Sequence, residues 1–435
     1  MGEEVSYAVD IHFWGLQKTY MLAFVQIILL LIQLILAGLV GYLLLLTVAA
    51  WYQSRQKTTP LAEQTNRFLI LVPAHNEERL LPELLTNLRQ LDYPQSLYAV
   101  HVVADNCTDK TAVIAQQNGA IVHERTNDAQ RGKGFALQWL LQRLHQTNEP
   151  HDAIIILDAD SIVSPNFLQV MDGRLARGER VIQAYYAVRN PDQSWAVSLR
   201  YAALAVLHYL RPLGRMALGG SAGLKGNGMV FVADILTQHE WSASVTEDIE
   251  FHMTLVLAGE RVMFAPEAVV KAEMPHTLTG SQTQNTRWEQ GRLEVARQYI
   301  PALLRGAGSA IKQKKYGRAY LLFDAVMEHI IPPFALLTGA IGLTMLASLI
   351  LFFIVPSDSP FNHSLRLTSV TVGSFTILGQ IIYIFYGLYL VNAPRKVYEA
   401  LLYVPAFMVW KVWLYMRVVF GKGAQGWVRT ERNED

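Results

Sequence analysis

Three long runs without a charged residue limit what this chain can fold into. They cover residues 20–54, 330–357 and 367–394. A helix needs about 20 apolar residues to cross the hydrocarbon core of a bilayer, so each run is long enough to span it with some tilt. Apolar residues make up 51% of the chain and charged residues only 17%, which is unusual for a soluble protein. The sequence therefore predicts three transmembrane helices.

A fourth apolar segment, 400–420, carries two basic residues in its second half, Lys411 and Arg417. Its aromatic residues and thin basic stripe favour a helix that lies in the headgroup layer over one that crosses the hydrocarbon. Snorkelling of the two long side chains would allow a span, so that alternative stays open. We expect an interfacial helix and a cytosolic tail over 399–435.

Basic residues near the ends of the predicted spans indicate an orientation. Arg55 follows the first span, Lys314 and Lys315 precede the second, and Lys396 follows the third. Three spans then place the tail 1–19 outside and the middle of the chain in the cytoplasm. The overall net charge of +1 gives no indication of a nucleic-acid partner.

The middle of the chain has the pattern of an α/β domain. Short runs rich in β-branched residues alternate with segments of helical apolar spacing, which predicts βαβ units and a mostly parallel sheet. The predicted strands are "RFLILVPA", "YAVHVVAD", "AIVHER" and "DAIIILDAD", and the helices between them include "NEERLLPELLTNLRQL" and "KGFALQWLLQRLH". Ligands of such sheets bind beyond the carboxyl ends of the strands.

Acidic residues follow three of these predicted strands. Glu77 comes after the first strand, Asp105 after the second, and Asp158 and Asp160 after the fourth. Singly, each residue is also explained as a helix cap or a solvated turn. Together on one sheet edge their repulsion is costly unless a cation neutralises it. Two carboxylates one residue apart, with phosphates and waters, commonly hold Mg²⁺ or Mn²⁺, and we expect such a site at Asp158 and Asp160.

Two further charged motifs fit the same chemistry. Lys133 in "RGKG" lies between glycines where a helix begins, which suits a diphosphate but also describes a solvated basic loop. Glu247 and Asp248 in "TEDIEFH" open another helical segment, and Thr246 could cap it with the two acids merely favouring the first turn. The functional interpretation is a general base that takes the proton of an attacking hydroxyl.

The motifs "PAHNE", "DNCTD", "DAD", "TED" and "QNTRW", in this order and ahead of apolar helices, resemble those of the membrane-bound family 2 glycosyltransferases. This group includes the cellulose, chitin and hyaluronan synthases. The resemblance covers about residues 67–292. It implies a Rossmann-like GT-A catalytic domain over 55–292, interfacial helices over 293–329, a UDP-sugar donor, and a position at the cytoplasmic face of the cell (inner) membrane.

The resemblance also implies a role for individual residues. Those expected to bind the donor are Pro73, Ala74, Glu77, Asp105, Lys133, Asp158, Gln284, Arg287 and Trp288. Those expected to hold the metal are Asp158 and Asp160. The catalytic carboxylates are expected to be Asp248 and its neighbour Glu247. Those expected to meet the acceptor are Gly226, Asn227, Gly228 and Trp288.

The cluster "QNTRW" has a physical reason to stand in such a site. The planar guanidinium of Arg287 can pair with the oxygens of a leaving diphosphate in bidentate fashion. The indole of Trp288 offers a flat surface to the apolar face of a sugar ring. We therefore expect this segment to complete an active site where it meets the membrane.

Three functions are compatible with these motifs. The first is a β-glycan synthase that adds hexose or N-acetylhexosamine units to a growing chain. The second is a non-processive enzyme that glycosylates a lipid acceptor. The third, a catalytically inactive scaffold, predicts eroded carboxylates, whereas Asp105, Asp158, Asp160 and Asp248 are all present. Three spans are fewer than the large synthases use, so export of a polymer would need a homo-oligomer or an export partner.

Overall fold

The computed structural model describes residues 2–56, 65–147, 149–242, 244, 246–275, 282–354 and 360–419. The chain divides into two compact units, Met1–Leu45 with Ile331–Tyr386 and Leu46–Ile330 with Gly387–Asp435. The predicted catalytic domain, 55–292, falls inside the second unit. That unit also includes the helices that the sequence assigns to the membrane surface.

The secondary structure alternates strands and helices through the second unit. The strands are β1 (Phe68–Ala74), β2 (Tyr98–Asp105), β3 (Ile121–Arg125), β4 (Ala153–Ile156), β5 (Ser161–Val163), β6 (Val181–Val188), β7 (Met229–Val232) and β8 (Val262–Ala272). The helices up to the end of the sheet are α1 (Gly2–Ser54), α2 (Leu81–Leu88), α3 (Thr111–Gln117), α4 (Lys133–Thr147), α5 (Phe167–Ala176), α6 (Trp195–Ala205), α7 (Arg211–Ala217), α8 (Ile235–Gln238) and α9 (Glu247–Ala258). The helices after it are α10 (Gln282–Lys312), α11 (Tyr316–Ile330), α12 (Phe334–Ile354), α13 (Pro360–Leu390), α14 (Arg395–Ala400) and α15 (Val404–Val419).

All eight strands form one sheet in the order β3-β2-β1-β4-β7-β6-β8-β5. The four strands predicted from the sequence, β1 to β4, are parallel to one another. The other half is mixed, because β7 runs antiparallel to both β4 and β6, and β5 runs antiparallel to β8. The parallel half agrees with the prediction, and the antiparallel pairs are a feature that short apolar runs do not reveal.

The core of the sheet explains why β1 and β4 read as nearly continuous apolar runs. A parallel strand at the centre of a sheet is covered on both faces and has no side that faces water. Phe68, Ile70 and Val72 pack into one cluster with Leu81 and Leu84 of α2. Helix α2 is shorter than the predicted segment 76–91, since the turn before it contains Asn76 at a φ of 55°.

A second apolar cluster joins α9 to the long helices that follow the sheet. Met253 and Val256 of α9 pack with Val295 and Leu303 of α10 and with Leu322 of α11. Helix α10 therefore lies directly against the element that opens with Glu247. The predicted boundary at residue 292 falls inside α10, so the "QNTRW" motif and the predicted surface helix form one rigid element.

The first unit consists of α1 up to Leu45, α12, and α13 up to Tyr386. Helix α1 begins at Gly2, so residues 2–19 of the predicted tail continue the first span as helix. Inside this unit, Gln33 donates to Ser348 Oγ at 2.9 Å and accepts from Ser369 Oγ at 2.6 Å. Polar contacts of this kind hold helices together in a bilayer, where apolar contact with lipid competes with apolar contact between helices.

Four helices within the described residues are long and apolar enough to cross a membrane: Tyr20–Ser54, Phe334–Phe353, Pro360–Leu390 and Arg395–Leu414. The fourth is the segment expected to lie in the headgroup layer. Its Lys411 is buried, donates to Asn285 Oδ1 at 2.9 Å and pairs with Glu289 at 3.5 Å. The basic charge is thus held by α10, which lowers the cost of a span. The interfacial placement stays a prediction, and the side chain of Arg417 and residues 420–435 lie outside the described residues.

Gly228, just before β7, has no room for a side chain. Its φ is +69°, and an added Cβ would lie 2.6 Å from Val270 Cγ2. We predict that Gly228→Ala lowers the free energy of unfolding by about 2–5 kcal/mol, because left-handed strain and overpacking add. Gly178→Ala isolates the strain, since Gly178 has a φ of +81° with no atom within 4 Å of the added Cβ. Thermal unfolding in detergent should show the larger loss for Gly228→Ala, and equal losses would contradict the packing.

Candidate active site

Parallel pairing brings the carboxyl ends of β2, β1 and β4 to one edge of the sheet. Asp105 ends β2, Ala74 ends β1, and Asp158 follows β4 by two residues. Pro73 and Ala74 are paired with Val103 and Ala104 of β2, so they lie next to Asp105. The predicted donor residues of these three strands are therefore neighbours in the fold.

Lys133 is the positive charge at the centre of this edge. Its Nζ lies 2.5 Å from Asp158 Oδ1 and also donates to the carbonyl oxygen of Gly226. Burial opposes the charge on Lys133, but the carboxylates of Asp158, Glu247 and Asp248 outweigh it and raise the pKa of the ammonium group. The "RGKG" segment is therefore part of the site and not a solvated loop.

Glu247 and Asp248 form the first turn of α9, where the helix dipole favours negative charge. Burial, together with the charge of Asp248, raises the pKa of Glu247 to about 8. Burial also raises the pKa of Asp248, against the attraction of Lys133. Asp248 Oδ2 would lie 3.2 Å from a Cβ added to Gly226. The "TED" segment and the segment 226–228 are therefore in close contact.

Asn227 is fully buried, and its side chain is used inside the protein. Its Oδ1 accepts from the backbone N–H of Asp158 at 3.2 Å, and its Nδ2 donates to Ser161 Oγ at 2.8 Å. Gln183 Nε2 donates to the Asn227 carbonyl at 2.7 Å. These bonds fix the turn that carries Asp158, which is a role that the sequence did not indicate for Asn227. Its expected contact with an acceptor stays a prediction.

Asp158 and Asp160 are both partly exposed at this turn. Burial, and then the charges of Asp158 and Asp160, raise the pKa of the Tyr186 phenol. Among the described residues, no group of three or more His, Cys, Asp or Glu converges as a metal site. Two carboxylates fit a cation that takes its remaining oxygen ligands from substrate phosphates and water, as Mg²⁺ does.

The predicted nucleoside side of the site is organised by Arg125, which the sequence did not single out. Its Nη1 lies 2.5 Å from Asp105 Oδ1, and both side chains are buried. Glu77, whose backbone N–H donates to Thr111 Oγ1 at 2.8 Å, begins the turn after β1. The sequence could have indicated this pair only by position, since Arg125 is the last residue of β3 and lies opposite Asp105, the last residue of β2.

Helix α10 brings the "QNTRW" motif to the same place. Gly291 packs so closely against Thr246 that an added Cβ would overlap the threonine side chain. Burial lowers the pKa of Arg287, and the charge of Glu247 acts in the opposite direction, which places the guanidinium beside the α9 carboxylates. Trp288 is 38% exposed. The side chain of Gln284 lies outside the described part of the structure.

Arg200, a second arginine that the sequence did not single out, lies over the face of the Trp288 ring. The guanidinium carbon of Arg200 is 5.7 Å from the centre of the Trp288 ring. Burial lowers the pKa of Arg200 to about 10, with Tyr186 acting in the opposite direction. The signal in the sequence is a lone arginine in the apolar helix "WAVSLRYAALA". Arg200 supports the indole and links it to the side of the site that carries Tyr186.

Residues 65–291 match the family model described as "Glycosyltransferase like family 2". The chain is 29% identical over 248 residues to a beta-monoglucosyldiacylglycerol synthase from Nostoc sp., covering 54% of this chain and 51% of that protein. It is 24% identical over 287 residues to a poly-beta-1,6-N-acetyl-D-glucosamine synthase from Staphylococcus aureus, covering 64% and 65%. The chain thus spans about half the length of the first of these relatives and somewhat less than two thirds of the second.

Among solved structures, a mannosyltransferase from Pyrobaculum calidifontis in complex with GDP-Man and Mn²⁺ superposes with a TM-score of 0.51. The two share 17% identity over 82% of this chain and 99% of that one. At this identity the likeness speaks for the fold alone, and it agrees with the predicted GT-A class.

The raised pKa of Glu247 predicts a pH-dependent penalty on folding. The unfolded chain loses this proton near pH 4.5, whereas the folded chain keeps it up to about pH 8. Stability therefore falls as pH rises between these values. A glutamine at position 247 does not titrate, so the Glu247→Gln variant should not lose stability in this way. We expect the Tm of Glu247→Gln minus the Tm of the wild type to increase by about 2–6 °C between pH 5 and pH 8. Thermal unfolding in the presence of EDTA measures both Tm values.

The matched control for this experiment is Glu294→Gln, which changes an exposed glutamate of α10. Its Tm difference from the wild type should stay constant across the same pH range. A constant difference for Glu247→Gln as well would mean that Glu247 titrates near its ordinary value.

Proposed function

Since the chain belongs to the family 2 glycosyltransferases, we propose that it is an inverting transferase. It moves a hexose or N-acetylhexosamine from a UDP-sugar to an acceptor hydroxyl and forms a β-linked product. The observation that carries this proposal is the pair formed by the buried Glu247 and the half-buried Asp248, held against Lys133 and Gly226 at the carboxyl edge of the sheet. This arrangement places a base next to a cation at a ligand-binding edge.

The donor occupies the edge formed by the ends of β1, β2 and β4. Asp105 binds the base of the nucleotide, and Arg125 holds the Asp105 carboxylate in place. Pro73, Ala74 and Glu77 complete that side of the pocket. Lys133 and Arg287 pair with the diphosphate, since both are cations next to the carboxylate cluster.

Asp158 and Asp160 hold Mg²⁺ or Mn²⁺ together with phosphate oxygens of the donor. When bound, the cation supplies positive charge to the diphosphate as it leaves. Asn227 and Ser161 keep the turn that carries the two carboxylates in one conformation. A preorganised turn spares the site the cost of ordering it at each turnover.

Asp248 acts as the general base. Its raised pKa makes it a better proton acceptor near neutral pH than an exposed aspartate. Glu247, with a pKa of about 8, keeps its proton at neutral pH and is the poorer base of the two. Glu247 shares the first turn of α9 with Asp248, and its protonated carboxyl adds no negative charge beside the base.

The reaction is a single displacement at the anomeric carbon. The acceptor oxygen bonds to C1 as the bond from C1 to the UDP oxygen breaks, and the acceptor proton passes to Asp248. Attack on the face opposite UDP converts an α-linked donor into a β-glycoside through an oxocarbenium-like transition state. Trp288, supported by Arg200, holds the acceptor ring, and Gly226 leaves space beside Asp248 for the acceptor. Gly228, packed against Val270, keeps the same turn close to the sheet.

A β-linked glycan is the product that we favour, with a glycolipid as the second candidate. The exposed indole of Trp288 suits a sugar acceptor, which is what a growing glycan presents. The lipid alternative draws support from the relatives named beta-monoglucosyldiacylglycerol synthase, while the relatives from Staphylococcus aureus are named for a polymer.

The enzyme works at a membrane. Four apolar helices within the described residues support a multi-pass membrane protein. We assign it to the cell (inner) membrane with the catalytic unit on the cytoplasmic side, because basic residues flank the predicted spans on that side. Export of a polymer requires a homo-oligomer or a separate export partner, because the first unit contributes few helices to a pore.

Loss of the base is the sharpest test of the chemistry. We predict that Asp248→Asn lowers UDP release from a UDP-sugar by about 10²–10⁴-fold while UDP still binds, because the amide cannot take a proton. The assay offers UDP-glucose and UDP-N-acetylglucosamine with Mg²⁺ or Mn²⁺. Asp192→Asn, at an exposed surface pair with Lys396, is the matched control and should keep full activity. Full release from Asp248→Asn would contradict the assignment.

The acceptor is identified by where a labelled sugar ends up. We predict that label from the active UDP-sugar enters a polymer that a β-glycan hydrolase degrades, since each added sugar presents a new hydroxyl to the site. The measurement separates aqueous from organic extracts after reaction in lipid bilayers. Label that appears only in the organic phase, with one sugar per lipid, would contradict a glycan product and identify a glycolipid instead.

A further inference from the structure

A cavity of about 250 Å³ lies between α4 and the end of β3, and it adjoins the site described above at Arg125. Its lining includes Phe135, Gln138, Trp139 and Gln142, which are spaced at three and four residues and so share one face of α4. The face of α4 that packs into the core is a different one and includes Leu137 and Leu140. We call this space the α4 cavity.

The chemistry of the lining is that of a carbohydrate site. Four carboxamide side chains line the space, Asn127, Gln130, Gln138 and Gln142, and an amide group offers donors and an acceptor to hydroxyl groups. Part of this capacity is used inside the protein, since Asn127 Oδ1 accepts from the backbone N–H groups of residues 129 and 130, and Gln138 Nε2 donates to Glu240 Oε1 at 3.2 Å. Two aromatic rings, Phe135 and Trp139, add flat apolar surface of the kind that packs against a sugar ring. Arg143 lies over Trp139, 5.4 Å from the ring centre, and restrains the indole.

The charges around the cavity favour a neutral ligand. The guanidinium of Arg125 is bound to Asp105, so it offers little net charge to a ligand in the cavity. Glu124 is the carboxylate of the lining and would repel an anion. A phosphate or nucleotide therefore fits poorly, whereas an uncharged polyol bonds to amides without that cost.

The wall of the α4 cavity is also the support of the donor pocket. The N–H of Asn106 donates to the Arg125 carbonyl at 2.7 Å, and the N–H of Asn127 donates to Asn106 Oδ1 at 2.7 Å. With the pair between Arg125 and Asp105, three bonds connect the cavity wall to the end of β2. The segment after Asn127 leads to Lys133, which the donor diphosphate is expected to meet.

We propose that the α4 cavity binds a neutral saccharide of one or two sugar units, and that its occupation strengthens donor binding. Arg125 and Asn127 line the cavity and are bonded to Asp105 and Asn106, so a ligand that holds these two residues in place also holds Asp105 at the donor pocket. The same coupling must act in reverse, so the donor strengthens saccharide binding by the same factor. Saccharide binding rests on the cavity alone, while the coupling to a donor rests on the proposed function.

Equilibrium binding to the full-length chain tests the proposal. The protein is held in lipid nanodiscs free of sugar detergents, and saturation-transfer NMR follows glucose, N-acetylglucosamine and their β-linked trisaccharides. We expect saturable binding of at least one saccharide, weakened about fivefold in Gln142→Ala, as the loss of one hydrogen bond predicts. Trp139→Ala should weaken it further. Tighter binding of a trisaccharide would identify a glycan chain as the source, and equal binding a free sugar.

Gln146→Ala is the matched control, because Gln146 lies one turn beyond Gln142 on the same helix and outside the cavity lining. It should bind saccharide as the wild type does. Circular dichroism of the variants separates lost binding from lost folding. No saturable binding to the wild type, or binding of wild-type strength in both Gln142→Ala and Trp139→Ala, would overturn the proposal.

The coupling is measured as the Kd for UDP with and without saturating saccharide. At the saccharide concentration that saturates the wild type, we expect the Kd to fall about two- to fivefold in the wild type and in Gln146→Ala. In Gln142→Ala it should fall by a smaller factor, because the weakened site is less fully occupied at that concentration. An unchanged Kd in the wild type despite saccharide binding would overturn the coupling. Failure of UDP to bind under any condition would instead contradict the proposed donor. It would not change the conclusion on saccharide binding, which is measured without UDP.

Discussion

The ion pair between Lys133 and Asp158 is the interaction on which the rest of the site depends. Three carboxylates at the sheet edge act on this ammonium group, and two of them are buried well enough to have raised pKa values. Without a cation their mutual repulsion would favour protonation, and a protonated Asp248 could not accept a proton. Lys133 lets the fold keep negative charge where the chemistry needs it. The same ammonium group is then available to a diphosphate.

A single long helix ties this charge cluster to the membrane side of the protein. Helix α10 approaches Thr246 at Gly291 so closely that only glycine fits, and this contact sets Arg287 beside Glu247. Further along, Asn285 and Glu289 of α10 hold the buried ammonium group of Lys411. The catalytic residues and an apolar helix of the second unit therefore share one rigid support. A site built in this way suits an acceptor that is presented near a bilayer.

The parts of the fold and site that could be predicted are those encoded by local pattern. The apolar runs of β1 to β4 appear in the structure where the sequence places them, and a long helix passes through each uncharged run with bounds that differ from the predicted ones. Arg125 and Arg200 could not be predicted, because their partners depend on how β2 pairs with β3 and on how α6 packs under α10. Spacing along one chain does not carry that information. Asn227 shows the same limit, since its bonds reach β4 and β6 from a loop far away in sequence.

Calorimetric titration of UDP into the full-length protein, with Mg²⁺ and with EDTA, tests most directly whether Lys133 organises a donor site at the carboxyl edge of the sheet. We predict saturable binding that requires the metal and that is weakened about tenfold or more in Lys133→Met, as expected for the loss of a charge-assisted contact. Binding of equal strength in Lys133→Met, or with EDTA in place of Mg²⁺, would contradict the central role given to this charge cluster.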